Sequence, residues 1–284
     1  MPSLPYRLCD VFTDRPLAGN ALAVFTHADA IETATMQQLA RELNLSECAF
    51  VLAPTVPGAA ARVRIFTPTM ELPFAGHPTL GTAFVLAELR PELGSVVVLE
   101  TARGVSIVEL SAPGAAARFG WMTQPLPRIQ LYEPAEQLLQ ALGVQHSALP
   151  VELYDNGPHY VLVVLEEATQ VARLRPNLAQ LEALGSIAVT VVARHGEQYK
   201  TRVFAPGEGI PEEPATGAAA GPTALHLARH GRIAYGDTIV IEQGIELGRP
   251  STLHARVHGT ADQLERVEVG GHALLIGRGE IDLA

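Results

Sequence analysis

Glu47 lies in Leu45-Ser-Glu-Cys-Ala-Phe-Val51, where a helix-like stretch gives way to an apolar strand. Apolar neighbours raise a carboxyl pKa, and a weakened acid has a stronger conjugate base. Such a group suits general acid–base work, in which a proton leaves one atom and returns to another. Two further segments have the makings of a substrate cradle. Glu71-Leu-Pro-Phe-Ala-Gly-His-Pro-Thr-Leu-Gly81 puts a histidine and small residues at a helix start, and Gly207-Glu-Gly-Ile-Pro-Glu-Glu-Pro-Ala-Thr-Gly217 puts another helix start beside two adjacent carboxylates. Helix starts carry unpaired N–H groups and the positive end of the dipole, so two that face each other are expected to hold an anionic substrate.

The elements that must position these groups recur. Arg64-Ile-Phe-Thr-Pro68, four residues and then Pro73, is matched by Arg202-Val-Phe-Ala-Pro206, four residues and then Pro211. Each is followed by a small-residue helix opening and preceded by a helix-like stretch and a strand: Met36 to Leu43 then Cys48 to Leu52, and Leu178 to Leu184 then Ile187 to Ala193. Self-similarity at a fixed spacing points to two copies of one unit. In this register Glu47 faces about Ile187, so one half has an acid where the other has an apolar residue. Helices are predicted from His77 or Pro78 to Leu89, and from near Thr216 to His230 with Gly231 as the C′ residue. Pro222 is expected to separate or kink the first turn of the second helix. Short strands are predicted at Val96 to Glu100, Val105 to Leu110, Tyr160 to Leu165, Thr238 to Glu242 and Leu253 to Val257. The expected architecture is α+β, with two pseudo-symmetric domains, each a barrel-like sheet around a central helix, and a cleft between them. The division is expected within Ala112 to Pro127, giving domains of 1–118 and 119–269, with a tail of about 270–284 packing back onto the first.

The composition bounds the functions to consider. The 284 residues are 48% hydrophobic and 18% charged, a packed chain rather than a disordered one. With 20 Lys+Arg against 30 Asp+Glu the net charge is −10, which does not suit a nucleic-acid partner. No apolar run is long enough for a membrane span, and the opening MPSLPYRLCD has no apolar export region, so a cytoplasmic location is expected. Cys9 and Cys48 are read as reduced, buried packing residues. His226 and His230, four apart on one helical face, lack the adjoining Glu of a His-Glu-x-x-His motif and are read as helix-end residues; no metal is expected. His159 in Asn156-Gly-Pro-His-Tyr160 is a candidate to approach the cleft from the second half. Nucleophile-elbow, phosphate-loop and dinucleotide signatures do not occur.

Several runs together resemble the phenazine-biosynthesis PhzF-like isomerase family. They are Cys9-Asp-Val-Phe-Thr-Asp-Arg-Pro-Leu-Ala-Gly-Asn20, Ser46-Glu47, Phe74-Ala-Gly-His-Pro-Thr-Leu-Gly81, Gly209-Ile-Pro-Glu-Glu-Pro-Ala-Thr-Gly217 and Glu242-Gln-Gly-Ile-Glu-Leu-Gly-Arg-Pro-Ser251, in order over nearly the whole chain. The resemblance implies a diaminopimelate-epimerase-like fold, often a homodimer. It also implies isomerisation of a small cyclic or amino carboxylic acid, such as dihydro-hydroxyanthranilate, by proton transfer without a cofactor. By the same resemblance Glu47 matches the proton-moving glutamate, and Gly76 and His77 the glycine–histidine pair that contacts substrate. Asn20 and Gly217 match other site-lining positions, with Thr216 and Ala218 beside Gly217. Glu213 stands where the family usually has Asp, and Ala218 where it usually has Ser. The first is longer by one methylene and the second lacks a hydroxyl donor, so the substrate is where this chain is expected to differ. The two-thiol chemistry of proline-racemase relatives is excluded by the absence of cysteine at either helix start. A non-catalytic small-carboxylate-binding protein on the same fold is the alternative, and Glu47 discriminates, because only a proton shuttle requires it.

Overall fold

In the computed structural model, which describes residues 3–112, 114 and 117–283, the chain begins β1 (Ser3–Val11), β2 (Asn20–Phe25), α1 (Thr33–Leu43), β3 (Glu47–Leu52), β4 (Ala61–Phe66) and β5 (Glu71–Leu72). It continues α2 (Gly76–Leu89), β6 (Val96–Thr101), β7 (Gly104–Leu110), β8 (Arg118–Gln124), β9 (Arg128–Leu131) and α3 (Ala135–Leu142). Then follow β10 (Glu152–Asp155), β11 (His159–Val164), α4 (Ala168–Arg173), α5 (Leu178–Glu182), β12 (Ala188–His195), β13 (Gln198–Ala205) and β14 (Ile210–Glu213). Last come α6 (Gly217–Arg229), β15 (Thr238–Gln243), β16 (Ser251–Gly259) and β17 (Leu264–Asp282).

α2 and α6 organise the rest, because neither has a polar face. Every residue from Gly76 to Ala87 in α2 and from Gly217 to Ala228 in α6 is buried. A helix apolar on all sides has to be enclosed. Around α2 the strands close completely: β1, β2, β3, β4, β6, β7, β8 and β17 pair in that cyclic order. Around α6 run β9 to β13, β15, β16 and β17. Small residues on the helices let the strands approach: a Cβ on Gly81 would lie 2.7 Å from the Leu22 side chain, and one on Gly221 would lie 2.5 Å from that of Val267. The α+β architecture is the expected one, and among the described residues no helix is long and apolar enough to cross a membrane.

Pro222 does not break α6, which runs unbroken from Gly217 to Arg229. Proline frees the carbonyl four residues earlier, that of Ala218, and the buried Asn156 side chain donates to it at 3.0 Å. Gly231, with φ +68°, ends the helix as predicted.

The repeat has a different register from the one its prolines suggest. Arg64 stacks on Phe66 and grips Glu71 through two hydrogen bonds of 2.7 Å, and Arg202 stacks on Phe204 and grips Glu212 at 2.8 and 2.7 Å. Glu212 is thus the counterpart of Glu71, and Pro214, not Pro211, that of Pro73. The second copy carries an insertion, a 3-10 turn over Pro206–Glu208 followed by Gly209 at φ +82°. Cys48 faces Phe66 as Val189 faces Phe204, so the counterpart of Glu47 is Ala188 rather than Ile187.

We propose that the halves divide as 1–118 with 270–284, and 119–269, with β8 spanning the boundary: it closes the barrel around α2, and its last residue, Gln124, donates to the Gly217 carbonyl of α6. The stretch expected to hold the division includes Pro113, Ala115 and Ala116, which lie outside the described residues, and β8, which pairs with both β7 and β17. The two helix starts abut: a Cβ on Gly76 would overlap the Ala218 nitrogen and lie 2.6 Å from the Gly217 carbonyl carbon. Backbone cannot give way as a flexible side chain does. Gly76→Ala is therefore expected to cost about 1–3 kcal/mol, as overpacked cores do, measured by urea unfolding.

Candidate active site

The loop before β2 delivers Asn20. Gly19, at φ +65°, turns the chain where a Cβ would lie 2.6 Å from the Thr13 side chain. Arg249, far along the sequence, fixes this turn by donating to the carbonyls of Gly19 at 2.7 Å and Ala18 at 2.8 Å and to the buried Asp10 carboxylate at 2.6 Å. β2 then pairs in parallel with β3, Leu22 opposite Glu47, which brings Glu47 beside Asn20 at one end of the barrel. His77 is the second residue of α2, and Glu213 ends β14 just before α6.

These side chains converge across the junction of the two repeats. His77 lies between two acids from opposite halves: its Nε2 is 3.5 Å from Glu47 Oε2, and its Nδ1 is 3.5 Å from Glu213 Oε1. The Asn20 amide nitrogen is 3.0 Å from Glu213 Oε1, 3.0 Å from the Ala215 carbonyl and 3.1 Å from His77 Nδ1. Its two acceptor contacts, Glu213 and the Ala215 carbonyl, fix the amide orientation and hold the Asn20 nitrogen against His77 Nδ1. The Thr216 hydroxyl donates to Glu213 Oε2 at 2.6 Å, and Gln243 donates to that hydroxyl at 2.9 Å and to the Glu213 carbonyl at 2.8 Å. Gly76 lies against Gly217 and Ala218. All eight residues singled out from the sequence, Asn20, Glu47, Gly76, His77, Glu213, Thr216, Gly217 and Ala218, thus meet in one place.

The site is buried and short of compensating charge. Glu47 is 4% exposed and His77 1%, and neither Glu47 Oε2 nor His77 Nε2 has a hydrogen-bond partner. Among the described residues no lysine or arginine forms an ion pair with Glu47, Glu208 or Glu213. Burial, then the Glu213 and Glu208 carboxylates, hold the Glu47 carboxyl well above its ordinary range. No side chain caps the N-terminus of α2 or α6; Pro78 has no N–H and Ala219 donates to the Thr216 carbonyl, which leaves the N–H groups of Gly76, His77, Gly217 and Ala218 as the donors at the two starts. Glu47, His77 and Glu213 offer atoms within 4.8 Å of one another. The two acids address opposite nitrogens of one imidazole, however, and a single ion cannot bind both faces of that ring. The geometry suits proton movement.

Four participants escaped the sequence reading. Gln243 lies on the inward side of β15 with Ile239 and Ile241, and a polar residue in that alternation was the available signal. Tyr160, buried and raised well above its usual value by burial and by the Glu213, Glu208 and Glu47 charges, faces the cluster, whereas the alternation of β11 turns His159 out to solvent. Glu208 sits on the inserted turn, buried, with Ser186 donating to it at 3.1 Å. Asn156 supports α6 as described. Cys48 points to the opposite face of β3, packed with Phe50 and Phe66, and burial pushes its thiol up to about 12. Cys9 lies in the barrel core, so both cysteines pack as expected.

Comparison with known proteins agrees with this geometry. The family model for PhzC-PhzF, phenazine biosynthesis-like protein, matches residues 9–279. Trans-2,3-dihydro-3-hydroxyanthranilate isomerase of Pseudomonas chlororaphis is 44% identical over 278 residues, 98% of this chain and 99% of that protein. The solved structure of a predicted epimerase from Pseudomonas aeruginosa superposes with a TM-score of 0.84 at 33% identity, over 99% of this chain and 100% of that one. A hydroxyproline epimerase from Agrobacterium vitis, at 14% identity and a TM-score of 0.68 over 98% of this chain and 92% of that one, shares the fold, which is diaminopimelate-epimerase-like. The chain belongs to the PhzC-PhzF, phenazine biosynthesis-like family and is an enzyme of the isomerase class.

Proposed function

We propose that the chain isomerises a small cyclic amino or hydroxy carboxylic acid of the trans-2,3-dihydro-3-hydroxyanthranilate kind, with Glu47 moving the proton. The observation that carries this reading is a buried carboxyl, raised by its surroundings, with one oxygen unpartnered beside an unpartnered histidine nitrogen. Free N–H groups at the starts of α2 and α6 are suited to the substrate carboxylate, holding it as the helix dipoles favour. Glu47, as carboxylate, takes a proton from a carbon acidified by neighbouring unsaturation; the electron pair shifts along the conjugated system; and a proton returns at another carbon. Atoms and electrons balance with no co-reactant. A proton on His77 Nε2 would lie where it stabilises the ionised Glu47, and Asn20, anchored on Glu213, positions the ring from the Nδ1 side. Such a site works dry, and its buried residues require the halves to part for substrate to enter.

Glu213 and Ala218 bear on which acid is accepted. The Glu213 carboxylate is held by Asn20 and Thr216. Ala218 places a methyl where a hydroxyl would donate, so a carboxylate there depends on backbone N–H groups alone.

Glu47→Gln preserves shape and removes the titrating oxygen. It is expected to fold normally and to lose turnover by roughly 10²- to 10⁴-fold, read as product formation and as proton exchange into deuterated water. Full turnover in this variant would overturn the role of Glu47, and binding of the acid without exchange in the wild type would favour a pure binding protein. Stability supplies an independent readout. A carboxyl raised on folding stabilises the native state below its unfolded value, near 4.5, and that contribution is lost as pH rises toward the folded value. Glu47→Gln lacks this loss, so its stability relative to wild type is expected to improve as pH rises from 4.5, measured by denaturant unfolding at several pH values.

A further inference from the structure

The far end of α6 carries a second cluster of titratable groups that the proposed reaction does not use. His226 and His230 are one helical turn apart near the C-terminus of α6, and β10 brings Glu152 against both. His226 Nδ1 is 3.1 Å and His230 Nε2 3.2 Å from the same oxygen, Glu152 Oε2. The Tyr154 hydroxyl joins them at 2.8 Å from that oxygen and 3.0 Å from His226 Nδ1. Four ligands about 2.1 Å from a tetrahedral ion are separated by about 3.4 Å, so these atoms already stand at nearly the spacing of a ligand set. A helix supplying two histidines at i and i+4 lacks only a third donor to form a cation site; the sequence does not reveal one, and the fold supplies Glu152.

The arrangement of donors favours a cation over a plain ion-pair network. Glu152 Oε2 receives Tyr154, His226, Arg229 and His230, more donors than its lone pairs satisfy, and all lie within 3.2 Å. His226 is wholly buried, so its ring is held in place against Glu152 and Tyr154. The Arg229 guanidinium, 2.7 Å from Glu152, occupies the position that a cation would share, and its side chain is 31% exposed. It also donates to the Tyr154 hydroxyl at 3.0 Å, so a bound cation has to displace it into solvent.

We propose that Glu152, His226 and His230 bind a divalent first-row cation, with zinc the best fit to two imidazoles and one carboxylate, and with Tyr154 or water completing the shell. The ion would staple β10 to α6 roughly 14 Å along the helix from the substrate cradle. It would take no part in proton transfer at Glu47.

The test uses the full chain, stripped of metal by a chelator and titrated with zinc, then with cobalt as a spectroscopic stand-in. Wild type is expected to take up one zinc per chain with a rise in Tm, and cobalt to give the visible absorption of a tetrahedral nitrogen–oxygen site. His230→Gln, at a part-buried position, is expected to weaken zinc binding by roughly 100-fold or more. Arg229→Gln removes the competing cation and is expected to tighten it, an outcome that a purely structural role for the cluster would not give. Glu47→Gln is expected to bind as wild type does. Absence of uptake by wild type, undiminished binding by His230→Gln, or loss of binding in Glu47→Gln would each overturn the assignment.

Discussion

Two helix N-termini meet head to head at the centre of this molecule, and like partial charges repel. The starts of α2 and α6 touch through Gly76 and Gly217, with no side chain capping either. Positive potential concentrated in a dry region calls for negative charge nearby, and each helix start stabilises an adjacent anion by up to about 2 kcal/mol in partly buried geometry. Glu47, Glu208 and Glu213 are buried close by without a lysine or arginine partner. The acids and the dipoles thus account for one another, and an anionic substrate fits the same field.

The acids break the symmetry that the repeat creates. Glu47 opens β3, where the second copy has Ala188, and Glu213 ends β14, where the first copy has Leu72 opposite Ile65. Glu208 belongs to the insertion found only in the second copy. The helix starts are alike in the two halves, and the acids around them are not. His77, 3.5 Å from Glu47 at one nitrogen and 3.5 Å from Glu213 at the other, joins the acids of the two halves.

The helices, most strands, Glu47 and the two helix-start loops left local traces: apolar runs without a polar face, glycine and proline at helix starts, one acid among apolar residues; Asn20 left none and came only from the family resemblance. The register of the repeat was not legible. Pro211 mimics Pro73 at equal spacing, and only the gripping of Glu71 by Arg64 and of Glu212 by Arg202 exposes the insertion. Asn156 was hidden for a different reason. It completes a carbonyl freed by Pro222, sixty-six positions later in the numbering, and no local pattern links the two. Glu152 is invisible beside its histidines for the same reason, since β10 and α6 meet only in the fold.

β17 is the longest strand, and it serves both barrels: Leu264 to Gly270 pairs with β16, and Ala273 to Asp282 with β1. Between them, Gly270 and Gly271 lie under the rings of Trp121 and Phe12, where a Cβ would collide. The chain passes between the barrels at residues 125–127, from β8 to β9, and again within β17, where the crossing is hydrogen-bonded along its length. At β17 any movement of one half against the other has to bend a hydrogen-bonded ribbon on which aromatic rings lie. A wall shared in this way means that neither repeat can lose its last strand without stripping a partner from the other.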